Sequence, residues 1–351
     1  MKSHLFDDPI KLYNTLLNDI QEAQSSIILE FYRFTGSIGI RLIDALALKA
    51  KQGIEVKLLL DSWGTDWRHE QFAPLIQAGG EVRFFHKIIL RPGFFIRSHR
   101  RNHRKLVIID SKISYIGSSN ISDYNIVWRE LILRIEGPVA TAFRETFDQM
   151  YAKHTDYLAY PNEMRTPIFF RDFEIVRDVP SIRSQMIRRR YTKLINKARK
   201  SIIIETPYFL PSFLVRKALI AAVARGVKVQ ICVPLKSDMS IVDKLRNRYI
   251  GPLTEQGIEF LMHTGHNLHA KLLFVDNTTF AIGSANFDYR SFRFQHEMTL
   301  IGKYATITAQ VIRHTTETIN QCIPFDYEAW KKRKLFDQFL EWLILPIRHL
   351  L

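Results

Sequence analysis

The sequence predicts an α/β protein made of two duplicated halves, each with a mixed sheet, packed pseudo-symmetrically around a site at their junction. The first observation is a doubled motif. Residues 103–120 carry His103, Lys105, Asp110, Gly117, Ser118 and Asn120, and residues 269–286 carry His269, Lys271, Asp276, Gly283, Ser284 and Asn286. The offsets match throughout, and the copies stand 166 residues apart. The second is that the repeat extends beyond the motif, so that Ala23–Glu30 resembles Ala198–Glu205. The third is an alternation of apolar, strand-like runs with helical stretches in the same order twice.

Each half opens with a helix end and a buried strand, Ile27–Glu30 or Ile202–Glu205. A helical stretch follows, Ile40–Gln52 or Val215–Arg225, stopped by Gly53 or Gly226. Next come the strands Val56–Leu60 and Val227–Ile231, a second helical region, and the strands Val82–Phe85 and Ile258–Leu261. The motif histidines then lead into Leu106–Ile109 and Leu272–Val275, and a turn returns each chain to Gly117 or Gly283. We place the divisions at 1–160, 161–325 and a basic, amphipathic tail at 326–351.

A net charge of +15 and a pI near 9.7 favour anionic partners: nucleic acid, anionic lipid or phosphorylated substrates. Two cysteines are too few for a disulfide framework. Residues 1–8 lack the apolar run of a signal peptide, and no stretch reaches the ~18 apolar residues expected of a spanning helix.

A doubled His-Lys set fits one phosphate held between two imidazoles, hence phosphodiester chemistry. Imidazole titrates near neutrality, so one ring can attack phosphorus while the other protonates the leaving oxygen. Lys105, Lys271, Asn120 and Asn286 can bind nonbridging oxygens, with Ser118 and Ser284 near the phosphate. Glu130 and Glu297 are the candidate carboxylates to orient the imidazoles. Asp110 and Asp276 complete the catalytic set, either holding the lysines and loop backbone or taking part directly. No carboxylate or Cys/His cluster has metal-ligand spacing, so no metal or cofactor is expected.

The pattern His-x-Lys-x4-Asp followed by Gly-Ser-x-Asn resembles the phospholipase D superfamily. A narrower resemblance, over about 320 residues, is to bacterial cardiolipin synthases. It rests on Arg101–Lys105, on Glu205–Pro211 with Tyr208 as a substrate-binding candidate, on Trp128–Leu131 with Arg134–Pro138, and on Gly283–Phe292. Glu130 stands where that family usually has Asp, and Gln295 where it usually has Asn. The resemblance implies paired phospholipase D-like halves and a two-step transfer between phosphatidylglycerols, with His103 as nucleophile and His269 as acid/base. It also implies a peripheral enzyme at the cytoplasmic face of the bacterial inner membrane, using anionic phospholipid and no nucleic acid. A phospholipase D-type hydrolase and a nuclease are the competing readings.

Two segments suit a membrane surface. Residues 86–96 are apolar with interleaved bases and read as a loop dipping into lipid or a hairpin packed in the core. In the tail, Lys331–Lys334 precedes a helix with Leu335, Phe336, Phe339, Leu340, Leu343 and Ile344 on one face and Asp337, Gln338 and Glu341 on the other. Eleven residues before Pro346 span only about 17 Å, too short for a bilayer core of about 30 Å. The tail therefore reads as an interfacial anchor or as a helix docked on the core.

Overall fold

The computed structural model describes residues 1–65, 69–85, 100–155, 162–181 and 183–349. The segment 86–96 lies outside the described residues. In the first sheet, Lys2–Phe6 (β1), Ile132–Glu136 (β8), Ile113–Gly117 (β7), Leu106–Ile109 (β6), Ser26–Phe31 (β2), Glu55–Asp61 (β3) and Glu81–Phe85 (β4) lie side by side in that order. The second sheet repeats it with Phe173–Asp178 (β10), Gln295–Gly302 (β16), Thr279–Gly283 (β15), Leu272–Val275 (β14), Ser201–Glu205 (β11), Lys228–Pro234 (β12) and Glu259–His263 (β13). Ile168–Phe170 (β9) and Cys322–Pro324 (β17) extend its two edges.

In each half the first three motif-distal strands are parallel and the motif strands antiparallel. Parallel neighbours need crossovers, which the helices Gly36–Lys51 (α2) and Phe213–Ala224 (α6) supply. Gly53 and Gly226 follow these helices at φ +83°, a left-handed position that closes a helix with little strain in glycine.

Helices Pro9–Glu22 (α1), α2 and Ala73–Gln77 (α3) share an apolar core with the outer face of the first sheet; Met186–Lys197 (α5), α6 and Ser240–Thr254 (α7) do so in the second half. A third core joins both sheets with Val139–Ala152 (α4) and Ala305–Asn320 (α9), mixing Ile28, Phe85, Phe143 and Phe147 with Leu272, Phe274, Ile282 and Val311. Because that core belongs to neither half alone, the halves are held in fixed relation.

Two short parallel contacts complete the junction. Arg101–Asn102 (β5) pairs with Gln295–His296, and Arg129 bridges Leu268. Glu30 stands opposite Leu106 and Glu205 opposite Leu272, so both motif histidines arrive at the carboxyl ends of parallel strands. Ligands of open α/β sheets are generally bound at such an edge.

Candidate active site

Each motif histidine is anchored to the other half. The backbone N–H of His103 donates to the carbonyl of His296 at 3.0 Å, and that of His269 to the carbonyl of Arg129 at 2.8 Å. The next residue along each partner strand is a buried glutamate. His103 Nδ1 lies 3.0 Å from Glu297 Oε1, and His269 Nδ1 lies 3.0 Å from both Glu130 oxygens. The carboxylates are thus exchanged: each half orients the imidazole of the other. With Nδ1 engaged, Nε2 is the ring nitrogen left for chemistry.

Ser118 Oγ donates to Glu130, and Ser284 Oγ donates to Glu297. Each hydroxyl also accepts a backbone N–H, from Leu131 at 2.8 Å and Met298 at 3.1 Å. This corrects the expectation that the serines hold phosphate: neither lines the pocket, and both fix a carboxylate. Gly117 and Gly283 are required by close approach rather than by a special dihedral. A Cβ at Gly117 would stand 2.2 Å from Leu131 O, and one at Gly283 would stand 2.1 Å from Met298 O.

Both histidines open into a cavity of about 180 Å³ that is also lined by Asn120, Asn286 and Tyr208. Asn120 Oδ1 accepts from Arg33 N at 3.2 Å, which turns its NH2 toward other work. Tyr208 donates to Asp238 at 2.7 Å. The same wall includes Tyr32, Trp128, Arg33 and Arg290, which the motif reading did not single out. Tyr32 packs edge-on against His103 and Trp128 packs tilted against His269, with ring centroids 5.2 and 5.0 Å apart. Position offered a signal: Tyr32 follows a buried strand's carboxyl end, and Trp128 precedes Glu130 by two residues.

Lys105 and Lys271 sit behind the rings, each donating to its own motif's histidine carbonyl at 2.7 Å. Burial lowers Lys105 to about 7 and Lys271 to about 8. Burial also holds His103 well below its usual value, reinforced by Lys105 and Lys271. His269 is lowered by burial too, with Glu130 opposing the shift. The two carboxylates differ. Burial raises Glu297 to about 7; it also opposes ionisation of Glu130, but His269, Lys271 and Ser118 together bring that group below the usual range.

Asp110 and Asp276 follow the loop-backbone alternative, away from the lysines and the pocket. Asp110 lies five positions beyond Lys105, about 16 Å along the strand. Its carboxylate accepts from the backbone N–H groups of Gln24, Ser25 and Ser26 at 2.7–2.9 Å. Asp276 repeats this with Arg199, Lys200 and Ser201. Both lie outside the pocket, at the turns that close the motif hairpins, with φ of +54° and +55°. The donors from Ser26, Gln24 and Ser25 outweigh burial and lower the Asp110 carboxyl. Its contribution to stability is present above the unfolded carboxyl value and is lost as pH falls through the folded one. Asp110→Ala should therefore cost about 1–3 kcal/mol in urea unfolding and leave turnover per folded molecule nearly intact. Lost turnover at unchanged stability would restore a direct role.

A sequence model of the family described as "Cardiolipin synthase, PLD-like domain" matches residues 16–151 and 191–319, one segment per half. The chain belongs to this family. The cardiolipin synthase of Clostridium perfringens (strain SM101) is 31% identical over 97% of this chain and 75% of its own length. The major cardiolipin synthase of Bacillus subtilis (strain 168) is 33% identical over 94% of this chain and 71% of its own. Among solved structures, the phosphatidylserine synthase of Haemophilus influenzae superposes with a TM-score of 0.78 at 12% identity, covering 99% of this chain and 95% of that one. At that identity the likeness concerns the fold, which is the paired phospholipase D-like architecture expected from the sequence. Glu130 brings both of its oxygens to His269.

Proposed function

We propose that this phosphatidyltransferase of the cardiolipin synthase type works through a phosphohistidine on His103, with His269 as acid and then base. The observation that carries the reading is the exchanged pair of His-Glu dyads opening into one pocket. His103 Nε2 attacks the phosphorus of a phosphatidylglycerol, and the bond to the glycerol oxygen breaks. His269 protonates that oxygen, and glycerol leaves. A hydroxyl of a second phosphatidylglycerol then gives its proton to His269, its oxygen attacks phosphorus, and the phosphorus–nitrogen bond breaks to release cardiolipin. One primary-alcohol diester is exchanged for another, so no nucleotide is consumed.

The dyads' electrostatics support this assignment of roles. A nucleophile must be neutral, and His103 has the imidazole pushed well below its usual value. An acid needs an anion beside it, and Glu130 is the carboxylate held ionised. Asn120, Asn286 and Arg290 face the pocket and supply donors for the phosphate, with buried Lys105 and Lys271 behind. The decisive assay uses purified protein and phosphatidylglycerol vesicles, with products resolved by mass. Cardiolipin and free glycerol are expected; phosphatidic acid without cardiolipin would make the protein a hydrolase.

The reading also makes the enzyme peripheral at the cytoplasmic face of a bacterial inner membrane. Among the described residues no helix is long and apolar enough to cross a membrane. The tail helix Leu335–Leu343 (α11) lies against α7 by one flank only. Leu340 and Ile344 are half-buried, and Glu341 is buried in an ion pair with Arg333 at 3.1 Å. This departs from the expected helix faces: the polar Glu341 points inward because Arg333 meets it there. Leu335 (82% exposed), Phe336, Phe339, Trp342 (60%) and Leu343 face out beside Lys331–Lys334. An apolar face flanked by cations suits an anionic lipid surface. Replacing Phe336, Phe339 and Trp342 by Ser should weaken sedimentation with phosphatidylglycerol vesicles at least about tenfold. Unchanged sedimentation would refute the anchor.

A further inference from the structure

A second, larger cleft lies on the outer side of the second half, between α6, α7, the short helix Tyr289–Phe294 (α8) and the C-terminal residues 345–348. Its volume is about 890 Å³, and among the described residues none lines both it and the active-site pocket. The two are nonetheless neighbours across α8, because Tyr289 faces the cleft and Arg290 faces the pocket.

The cleft has an unusual composition. Arg216, Lys217, Arg248 and Arg348 line it together with Phe213, Ile220, Tyr249 and Leu253, and among the described residues no carboxylate does. Two cations are seated on aromatic rings: Arg216 lies 5.1 Å from the Tyr249 centroid and Arg348 lies 5.7 Å from that of Tyr289. Among the described residues none of the four takes part in an ion pair, whereas Arg134, Arg144 and Arg190 all do. Four cations converging on one space repel one another, and an anion there would reverse the sign of that interaction.

Comparison of the halves sharpens the point. In the first half the start of α2 is occupied by a carboxylate, with Asp123 accepting from Ser37 N at 2.6 Å and Ile38 N at 3.1 Å. By offset from the motif asparagine, Tyr289 stands where Asp123 stands, and the adjacent Asp288 is turned to its own helix, accepting from Ser291 N. α6 has neither a side-chain cap nor an acid in its first turn. Arg216 and Lys217 sit near that helix start, where the helix dipole disfavours cations. The second half thus lacks the first half's built-in anion at this helix start and sets four bases around an apolar floor.

We propose that this cleft holds one anionic phospholipid outside the active site, its phosphate among Arg216, Lys217, Arg248 and Arg348 and an acyl chain over Phe213, Ile220 and Leu253. The apolar floor selects a lipid over a free phosphate or a nucleic-acid backbone. The volume lies within the ~300–1,000 Å³ of ordinary ligand pockets. Phe213 and Leu214 are exposed at the rim, so the chain can enter from a bilayer without full desorption. Such a lipid would hold the α8 side of the molecule, and with it the active-site pocket, close to the membrane.

The test uses the full chain and phosphatidylcholine vesicles containing phosphatidic acid, an anionic phospholipid with no headgroup alcohol to release. Lys217→Glu with Arg248→Glu should weaken vesicle binding at least about tenfold, from the loss of roughly one cation's worth of surface attraction per site. The control, Arg41→Glu with Lys51→Glu on α2, makes the same change in net charge and should cost less than about threefold. Equal losses in both proteins, or no loss in the first, would overturn the proposal. In the unaltered protein, a phosphatidic acid with a diazirine in its acyl chain should label α6 and α7; labelling confined to other elements would also overturn it. Turnover of short-chain phosphatidylglycerol dispersed in solution should stay within about twofold in the cleft variant, since Lys217 is exposed, Arg248 is only half-buried and both lie outside the active-site pocket. Failure of the lipid site and failure of the transferase reading are thereby read separately.

Discussion

His269→Asn should trap the covalent intermediate that His103→Asn cannot form. The two variants are best compared on a phosphatidyl donor whose leaving alcohol is a nitrophenol, because that alcohol departs without needing a proton. In His269→Asn the nucleophile and its Glu297 partner remain in place. Release of nitrophenol should therefore show a burst of about one equivalent per site and then stall. The second step needs a base for the incoming hydroxyl, and its loss should slow turnover by on the order of 10²–10⁴. The stalled protein should carry a phosphatidyl group on the peptide containing residue 103, joined by an acid-labile phosphorus–nitrogen bond. His103→Asn should show neither burst nor adduct. With phosphatidylglycerol itself, whose glycerol requires protonation, both variants should lose about 10⁴-fold or more. A burst in His103→Asn and none in His269→Asn would exchange the two roles. Bursts in both, or full turnover in either, would end the two-histidine mechanism.

Much of this architecture was legible because the chain repeats itself. The doubled motif, the strand–helix order and the glycines after α2 and α6 are local features, and the five strands they mark in each half take matching places in the two sheets, whereas β1, β8, β10 and β16 carried no such signal. The site was less legible, for reasons that differ by residue. Glu130 and Glu297 were found by their similar distance from a motif, but the offset pairs each with its own half. Contacts spanning 194 and 139 residues exchange them, and only the packing of the halves decides that. Ser118 and Ser284 sit beside reactive residues in sequence, yet each bonds to the neighbouring strand, which the glycine before it brings unusually close. Asp110 and Asp276 carried a usable signal. A residue five positions along a strand from a lysine lies on the opposite face and several residue rises away. The tail was half legible: periodicity placed its apolar residues, but not the Arg333–Glu341 pair that turns one flank inward.

The exchanged dyads predict distinct changes in pH dependence. In the free enzyme, kcat/KM should require the His103–Glu297 dyad with its carboxylate ionised and His269 in its protonated form. Burial holds Glu297 up to about 7 and His269 below its usual value, so the active combination is a minor form, and activity in the native protein should peak between the two values and fall as pH rises past about 7. Glu297→Gln keeps a side chain of similar size but removes the group that titrates. The acid limb then belongs to His103, which is pushed well below its ordinary value, so the limb should move to lower pH. The maximum should fall by on the order of 10²-fold, because the imidazole loses the anion that stabilises its positive charge in the intermediate. Glu130→Gln acts on the other ring. Glu130 is the main influence raising His269 against burial, and without it the imidazolium is lost sooner as pH rises. Because that imidazolium must coexist with an ionised Glu297, the rising limb, which His269 sets, should move to lower pH and the maximum should fall. Each glutamate thus controls the limb set by the histidine of the opposite half. If each variant instead altered the limb set by the histidine of its own half, the exchanged arrangement would not be the one that operates during turnover.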